Sequence, residues 1–188
     1  GGENVGEKTD QELYQEFLEG NQRSFEQIVL RHKDYLIYFL QGFVKNISSA
    51  EDLAQDVFVY LLMHPDYYNC KYSLKTYLYT IAKSKALNYL KREKRVVGII
   101  GENEIIDQEE LEEKVYKKER NQNIRNAIQK LKQDYQTAIY LADIEGLSYK
   151  EISHILNKND GQVKILIHRA RKSLEKVIRK EVEKYEVK

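Results

Sequence analysis

A single proline, Pro65, and nine glycines are all the strong chain-breakers that 188 residues contain. An all-β chain needs a turn every few residues, and the chemistry for those turns is missing here. Lys, Glu, Leu and Ile dominate instead, and they favour helix. The chain is therefore expected to be all-α. No run approaches the ~20 apolar residues of a membrane span, and there is no secretory apolar segment. The opening Gly1-Gly2, without a methionine, resembles a cleavage scar. Cys70 is the one cysteine, so no internal disulfide can form, which suits a reducing cytoplasm. The expectation is a cytoplasmic helical protein that does not insert into membrane.

Apolar spacing and caps divide the chain into helices. "TDQELYQEFLEG" sets Thr9 three residues before Glu12, a capping-box signature, and ends at Gly20. A long helix from Arg23 spaces Phe25, Ile28, Val29, Leu36, Phe39, Leu40 and Phe43 on one side. "SSAEDLAQDVFVYLL" starts the next, with Ser48 or Ser49 as the expected cap, and Pro65 stops it. "PDYYNCKYS" reads as a loop. "LKTYLYTIAKSKALNYLKREKR" is a further amphipathic helix that turns Leu74, Tyr77, Leu78, Ile81, Leu87 and Leu90 towards a core. Helices resume near Leu111.

Charge divides the chain at the same places. Lys71 to Arg95 carries eight bases against one acid, Glu93, whereas Gly101 to Glu113 carries seven acids and no base. Lys164 to Lys180 is basic again. Two basic blocks flanking an acidic strip suggest two surfaces that face polyanions. The expected organisation is a tail over 1–8, a helical domain over 9–95, an acidic linker over 96–110 and a second helical domain over 111–188.

The second domain carries a helix-turn-helix pattern in "EGLSYKEISHILNKNDGQVKILIHRARKSLEKVI". Gly146 stops one helix, and Ser148 with Glu151 forms a capping box for a short helix burying Ile152, Ile155 and Leu156. Asn157 to Asn159 supply the turn and Asp160 the next cap. On the last helix Val163, Leu166, Ile167, Ala170, Leu174, Val177 and Ile178 form the buried stripe. Lys164, Ile165, His168, Arg169, Lys172 and Lys176 lie opposite, where a recognition helix meets a major groove.

Two further groups stand out in the first domain. Glu51, Asp52, Gln55 and Asp56 cluster on one face of "AEDLAQDVFVYLL". Acids near a helix N-terminus suit its dipole, but such a cluster repels DNA, so in a functional role it faces a basic protein. "PDYYNCKYSLKTYLY" interleaves Tyr67, Tyr68, Tyr72, Tyr77 and Tyr79 with Lys71 and Lys75, beside Asn69. Aromatics next to cations suit unstacked single-stranded bases.

These three segments, in this order, resemble the bacterial sigma factors of the extracytoplasmic-function (ECF) group. The resemblance implies that Asp52, Gln55 and Asp56 bind the coiled coil of the largest clamp subunit of core RNA polymerase. It implies that the Asp66–Ser73 loop and the helix after it capture non-template bases of the minus-ten promoter element. Tyr67, Asn69, Lys71, Lys75, Tyr77, Lys83 and Lys91 are the residues for that strand. For the minus-thirty-five duplex they are Gln162, Lys164, Ile165, His168, Arg169 and Lys172. An anti-sigma factor is the further partner implied. Tyr77 and Ser84 stand where the family commonly has Trp and Asn. Gln162, Ile165 and Leu166 stand where Thr, Ser and Arg are usual.

A helix-turn-helix regulator that is no polymerase subunit is the alternative, and it leaves the acidic helix and the tyrosine-rich loop without a role. An enzyme is not expected. His32, His64, His154 and His168 are scattered, His64 and Cys70 lack two further metal ligands, and no phosphate-cradling glycine loop occurs. No cofactor or metal is expected.

Overall fold

A computed structural model describes residues 6–100 and 119–187. Within them lie eight α-helices and no strand: α1 (Asp10–Leu18), α2 (Gln22–Gln41), α3 (Ile47–Met63), α4 (Leu74–Ile100), α5 (Glu119–Gln129), α6 (Gln133–Ile139), α7 (Tyr149–Leu156) and α8 (Asp160–Glu186). A 3-10 turn, Pro65–Tyr67, follows α3, and a π-helical turn, Tyr140–Ile144, follows α6. The all-α expectation and the C-terminal helix-turn-helix both hold. The acidic strip over 101–113 falls outside the described residues.

Local chemistry sets the helix ends. Thr9 accepts a hydrogen bond from the Glu12 N–H at 3.2 Å and so caps α1. Gly20 has φ +100, the left-handed backbone that ends a helix at little cost only for glycine. The cap of α3 is Asn46, not Ser48 or Ser49: its side chain takes the Ser49 N–H at 3.1 Å, and the helix begins at Ile47. Two residues of extra helix result. The predicted box of Ser148 and Glu151 forms in both directions, at 3.2 and 2.9 Å. Asn159 rather than Asp160 caps α8, through a reciprocal box with Gln162. Asp160 instead takes a hydrogen bond from the Ser153 hydroxyl at 2.7 Å, tying the turn to α7.

One continuous core runs through the molecule. Leu13 and Tyr14 of α1, Ile28, Leu36, Phe39 and Leu40 of α2, Leu53, Val57 and Leu61 of α3, and Leu74, Leu78 and Ala82 of α4 form its first part. Ala138 to Leu141, Ile152, Ile155, Val163, Ile167 and Ala170 form the rest. The apolar stripe expected of α4 needs correcting. Leu87 is 40% exposed, whereas Ala82 and Ala86 are fully buried, so α4 turns its alanines rather than Leu87 towards the neighbouring helices. Tyr79, grouped above with the base-facing tyrosines, is likewise buried and meets Phe39 edge-on at 4.8 Å. Ile178, at the end of the predicted α8 stripe, is exposed. Helix α4 also continues past Arg95 to Ile100, into the segment expected to be linker.

Helix α1 is strapped to α2 by ions. Arg31 reaches Asp10 at 2.9 Å, and His32 Nε2 lies 2.8 Å from the other Asp10 oxygen. Burial works to raise the Asp10 carboxyl, but the hydrogen bond and charge of His32, with those of Arg31, outweigh it and hold Asp10 below its ordinary 3.8. A carboxylate depressed in the folded state adds stability above its unfolded pKa, and that stability is lost as pH falls through the folded value. Asp10→Asn is therefore expected to cost roughly 1.5–3 kcal/mol near neutrality. Thermal unfolding followed from pH 7 downwards should show the gap to wild type closing below pH 3.8; a constant gap would remove this pair from the ledger of acid-sensitive contacts.

Candidate polymerase and nucleic-acid interfaces

Three groups of exposed side chains stand on α3, on the loop that leads into α4, and on α8. On α3, Leu53, Ala54, Val57 and Phe58 are buried, which leaves Glu51, Asp52, Gln55 and Asp56 outward. Because the helix begins at Ile47, its first turn holds no acid. The macrodipole effect fades beyond that turn, so the dipole gives these acids little reason to be there. Among the described ion pairs none involves Asp52 or Asp56.

The loop between α3 and α4 is tightly made. Asn69 Oδ1 accepts from the Lys71 N–H at 3.0 Å, and Cys70 between them has φ +61. A left-handed cysteine costs about 1 kcal/mol or more, so the flanking contacts must hold the turn. Tyr67, Asn69 and Lys71 are exposed, and so is Lys91 further along α4. Tyr77 is only half-buried and lies stacked on Tyr68 at 5.1 Å. Ser73 caps α4 by accepting from the Thr76 N–H at 3.2 Å.

Lys75 and Lys83 are placed differently from the other candidates, because the C-terminal half sits against them. Lys75 Nζ lies 3.4 Å from Glu145 Oε2, a carboxylate whose side chain is only 5% exposed. Burial first, and then Glu145, push the neighbouring Tyr79 hydroxyl well above the ordinary tyrosine value. Lys83 donates to the Ile155 carbonyl of α7 at 3.3 Å. Burial, and secondarily the charge of Lys158, hold its ammonium below the ordinary lysine value. Tyr72 stacks on His154 at 4.0 Å, and Arg125 lies 3.9 Å above the Tyr38 ring while donating to its hydroxyl at 2.6 Å. A cavity of about 300 Å³ opens along this seam between Asp10, Arg31, His32, Tyr35, Lys75 and Glu145. None of these cross-contacts shows in the sequence, where each partner reads as an ordinary surface charge or loop aromatic.

The third group is the outer arc of α8. Val163, Ile167 and Ala170 are buried; Lys164, Ile165, His168, Arg169 and Lys172 are exposed. Gln162 is exposed too, but its side-chain oxygen is engaged by the Asn159 N–H, which leaves only its amide NH2 for other partners. Asn157, at φ +52, makes the turn between α7 and α8, and a two-pronged contact of Arg171 on Asp143 at 2.6 and 3.1 Å ties α8 to the π-helical turn after α6. The frame thus presents five side chains of the arc along about two and a half turns of helix.

Among the described residues, no three His, Cys, Asp or Glu side chains are grouped to hold a metal, and no helix is long and apolar enough to cross a membrane.

Comparison with known proteins agrees with this layout. Residues 28–96 match Sigma-70 region 2, and residues 121–174 match Sigma-70, region 4. The chain is 32% identical over 171 residues to the ECF RNA polymerase sigma factor SigW of Bacillus subtilis, covering 85% of this chain and 91% of that protein. It is 29% identical over 181 residues to the ECF RNA polymerase sigma-E factor of Escherichia coli, covering 89% and 93%. Among solved structures, the sigma factor RpoE of Bartonella quintana, in complex with the anti-sigma factor NepR, superposes with a TM-score of 0.66 at 25% identity, over 84% of this chain and 98% of that one. Region 2 thus falls on the helices that carry the acids and the tyrosine loop, region 4 on the helix-turn-helix, and the chain belongs to the ECF group of bacterial RNA polymerase sigma factors.

Proposed function

We propose that this chain docks on core RNA polymerase through Asp52, Gln55 and Asp56, and opens promoters by dividing their recognition between its two halves. The exposed arc of α8 takes the minus-thirty-five element as duplex, with Lys164, His168 and Arg169 as its cations and Ile165 facing a thymine methyl. Tyr67, Asn69 and Lys71 of the loop take minus-ten bases as a single strand, with Lys75, Lys83 and Lys91 along the backbone. Tyr77 acts through Tyr68, on which it stacks, rather than as a free platform. The observation that carries this reading is the acid patch on α3: it lies beyond the reach of the helix dipole and is unsuited to DNA, yet it stands next to the loop that exposes Tyr67, Asn69 and Lys71.

Energetics require the polymerase. Opening about ten base pairs costs roughly 14 kcal/mol of stacking, and capturing a base returns only ~1–3 kcal/mol. The free chain should bind promoter DNA weakly and melt none. Lys75 and Lys83 must also exchange Glu145 and the Ile155 carbonyl for phosphates, so strand capture goes with parting of the two halves. An anti-sigma factor is the natural partner to oppose that parting, as the RpoE relative was captured with one.

The test is reconstitution. Mixed with core polymerase, the chain should co-elute with it and select, from a randomised DNA library, promoters that yield run-off RNA. On those promoters permanganate should mark unpaired thymines only when both components are present. Opening by the free chain, or no run-off from any selected DNA, would defeat the proposal.

A further inference from the structure

We infer that Tyr14, on α1 and ahead of the region 2 match, is a positioning residue for strand capture: it holds the Pro65–Ser73 loop in the shape that presents Tyr67, Asn69 and Lys71. The inference rests on the functional reading above and adds to it a residue outside the capture surface.

Two tyrosine hydroxyls tie down the two ends of this loop. Tyr14 is 3% exposed, and its hydroxyl donates to the Pro65 carbonyl, in the 3-10 turn where the loop begins. Tyr68 donates its hydroxyl to the Tyr72 carbonyl at 2.6 Å, closing the loop across Cys70. The two tyrosines also touch: the Tyr14 ring meets Tyr68 edge-on at 5.1 Å, with an interplanar angle of 90°. Tyr68 in turn stacks on Tyr77 of α4. A continuous aromatic bracket therefore runs from α1 through the loop to α4, with one hydroxyl tie at each end of the loop.

The bracket has a job. The left-handed backbone at Cys70 does not hold itself: Asn69 and Lys71 on either side of it are exposed, and Tyr67, also exposed, stacks on His64 at 4.6 Å, ahead of the turn rather than across it. Tyr68, packed on the core, and the half-buried Tyr72 anchor the segment on either side of Cys70. Burial above all pushes both hydroxyls, of Tyr14 and Tyr68, up to about 12, so they stay protonated and remain donors across the working range of the protein. Helix α1 is itself fixed by the Asp10 contacts to Arg31 and His32, so Tyr14 presents its hydroxyl from a rigid base. Strand capture gains from such preorganisation, because a loop already in its binding shape loses less entropy when the bases arrive.

Cys70, the only cysteine and exposed, gives a direct reporter. A nitroxide attached there should be restrained in the wild-type chain and markedly more mobile in Tyr14→Phe, which keeps the ring and removes only the hydroxyl. In the holoenzyme, promoter opening read by permanganate should fall about fivefold to tenfold, the worth of one hydrogen bond. Affinity for core polymerase and for minus-thirty-five duplex should not change. Tyr14→Leu should exceed Tyr14→Phe in both loop mobility and lost opening. An unchanged nitroxide spectrum and unchanged opening in Tyr14→Phe would reduce Tyr14 to a core residue. Failure of the wild-type holoenzyme to open any selected DNA would instead strike the functional reading, and the nitroxide spectra would still decide the role of Tyr14 in the loop.

Discussion

Reversing Asp52 and Asp56 together to lysine should abolish promoter-directed transcription while leaving the fold untouched. Both side chains are exposed on α3, and neither meets a cation among the described residues, so nothing internal is lost. At a desolvated interface, truncating one partner of a charge pair costs about 2–5 kcal/mol, and reversal adds repulsion. Two reversals should weaken the affinity for core polymerase by roughly a thousandfold or more. Fluorescence anisotropy against core enzyme would measure that loss, and circular dichroism would check that the helical signal and melting temperature are kept. Gln55→Ala should do far less, because it removes one neutral contact. Unchanged core affinity in the double reversal would take this face of α3 out of the interface.

The second large effect concerns the seam between the halves. Glu145→Lys places a second ammonium against Lys75, in a spot where the native carboxylate is nearly sealed from water. Breaking a buried pair costs about 3–5 kcal/mol, and the lower end applies because a third of the Lys75 side chain still reaches solvent. The packed arrangement should then lose roughly a hundredfold of its population advantage. Small-angle scattering should show a larger radius of gyration, and the free variant should bind single-stranded oligonucleotide more tightly through the released Lys75 and Lys83. Glu145→Gln, which removes charge without adding any, should fall between. A variant as compact as wild type would show that Ile152, Ile155 and the Arg125–Tyr38 contact hold the halves together without this pair.

What could be read beforehand depended on how local the chemistry is. Ser148 and Glu151 sit three apart before an apolar run, and their box forms as expected because nothing but the local chain is needed. The caps of α3 and α8 moved by one to three residues for an equally local reason. Asn46, Ser48 and Ser49, like Asn159 and Asp160, are all competent caps, and side-chain type alone does not choose among neighbours. Leu87 and the alanines of α4 went the other way, since spacing says which positions share a face but not which of them a neighbouring helix covers. The acid patch and the α8 arc were legible because exposed groups answer to the helical period alone. Lys75, Lys83 and Glu145 were not: their partners are about seventy positions away, and a buried ion pair is spelled with the same letters as a surface one.

The shared core has a further consequence, in terms of concentration. Region 2 and region 4 are parts of one polypeptide, so each half meets the other at an effective concentration in the millimolar range, as short tethers impose. A separate molecule that covers the same faces must outbid that figure before it holds either half. Contacts too weak to join two free proteins at cellular levels therefore suffice to keep this chain folded on itself. A competitor that grips both halves at once gains the same advantage for its second contact.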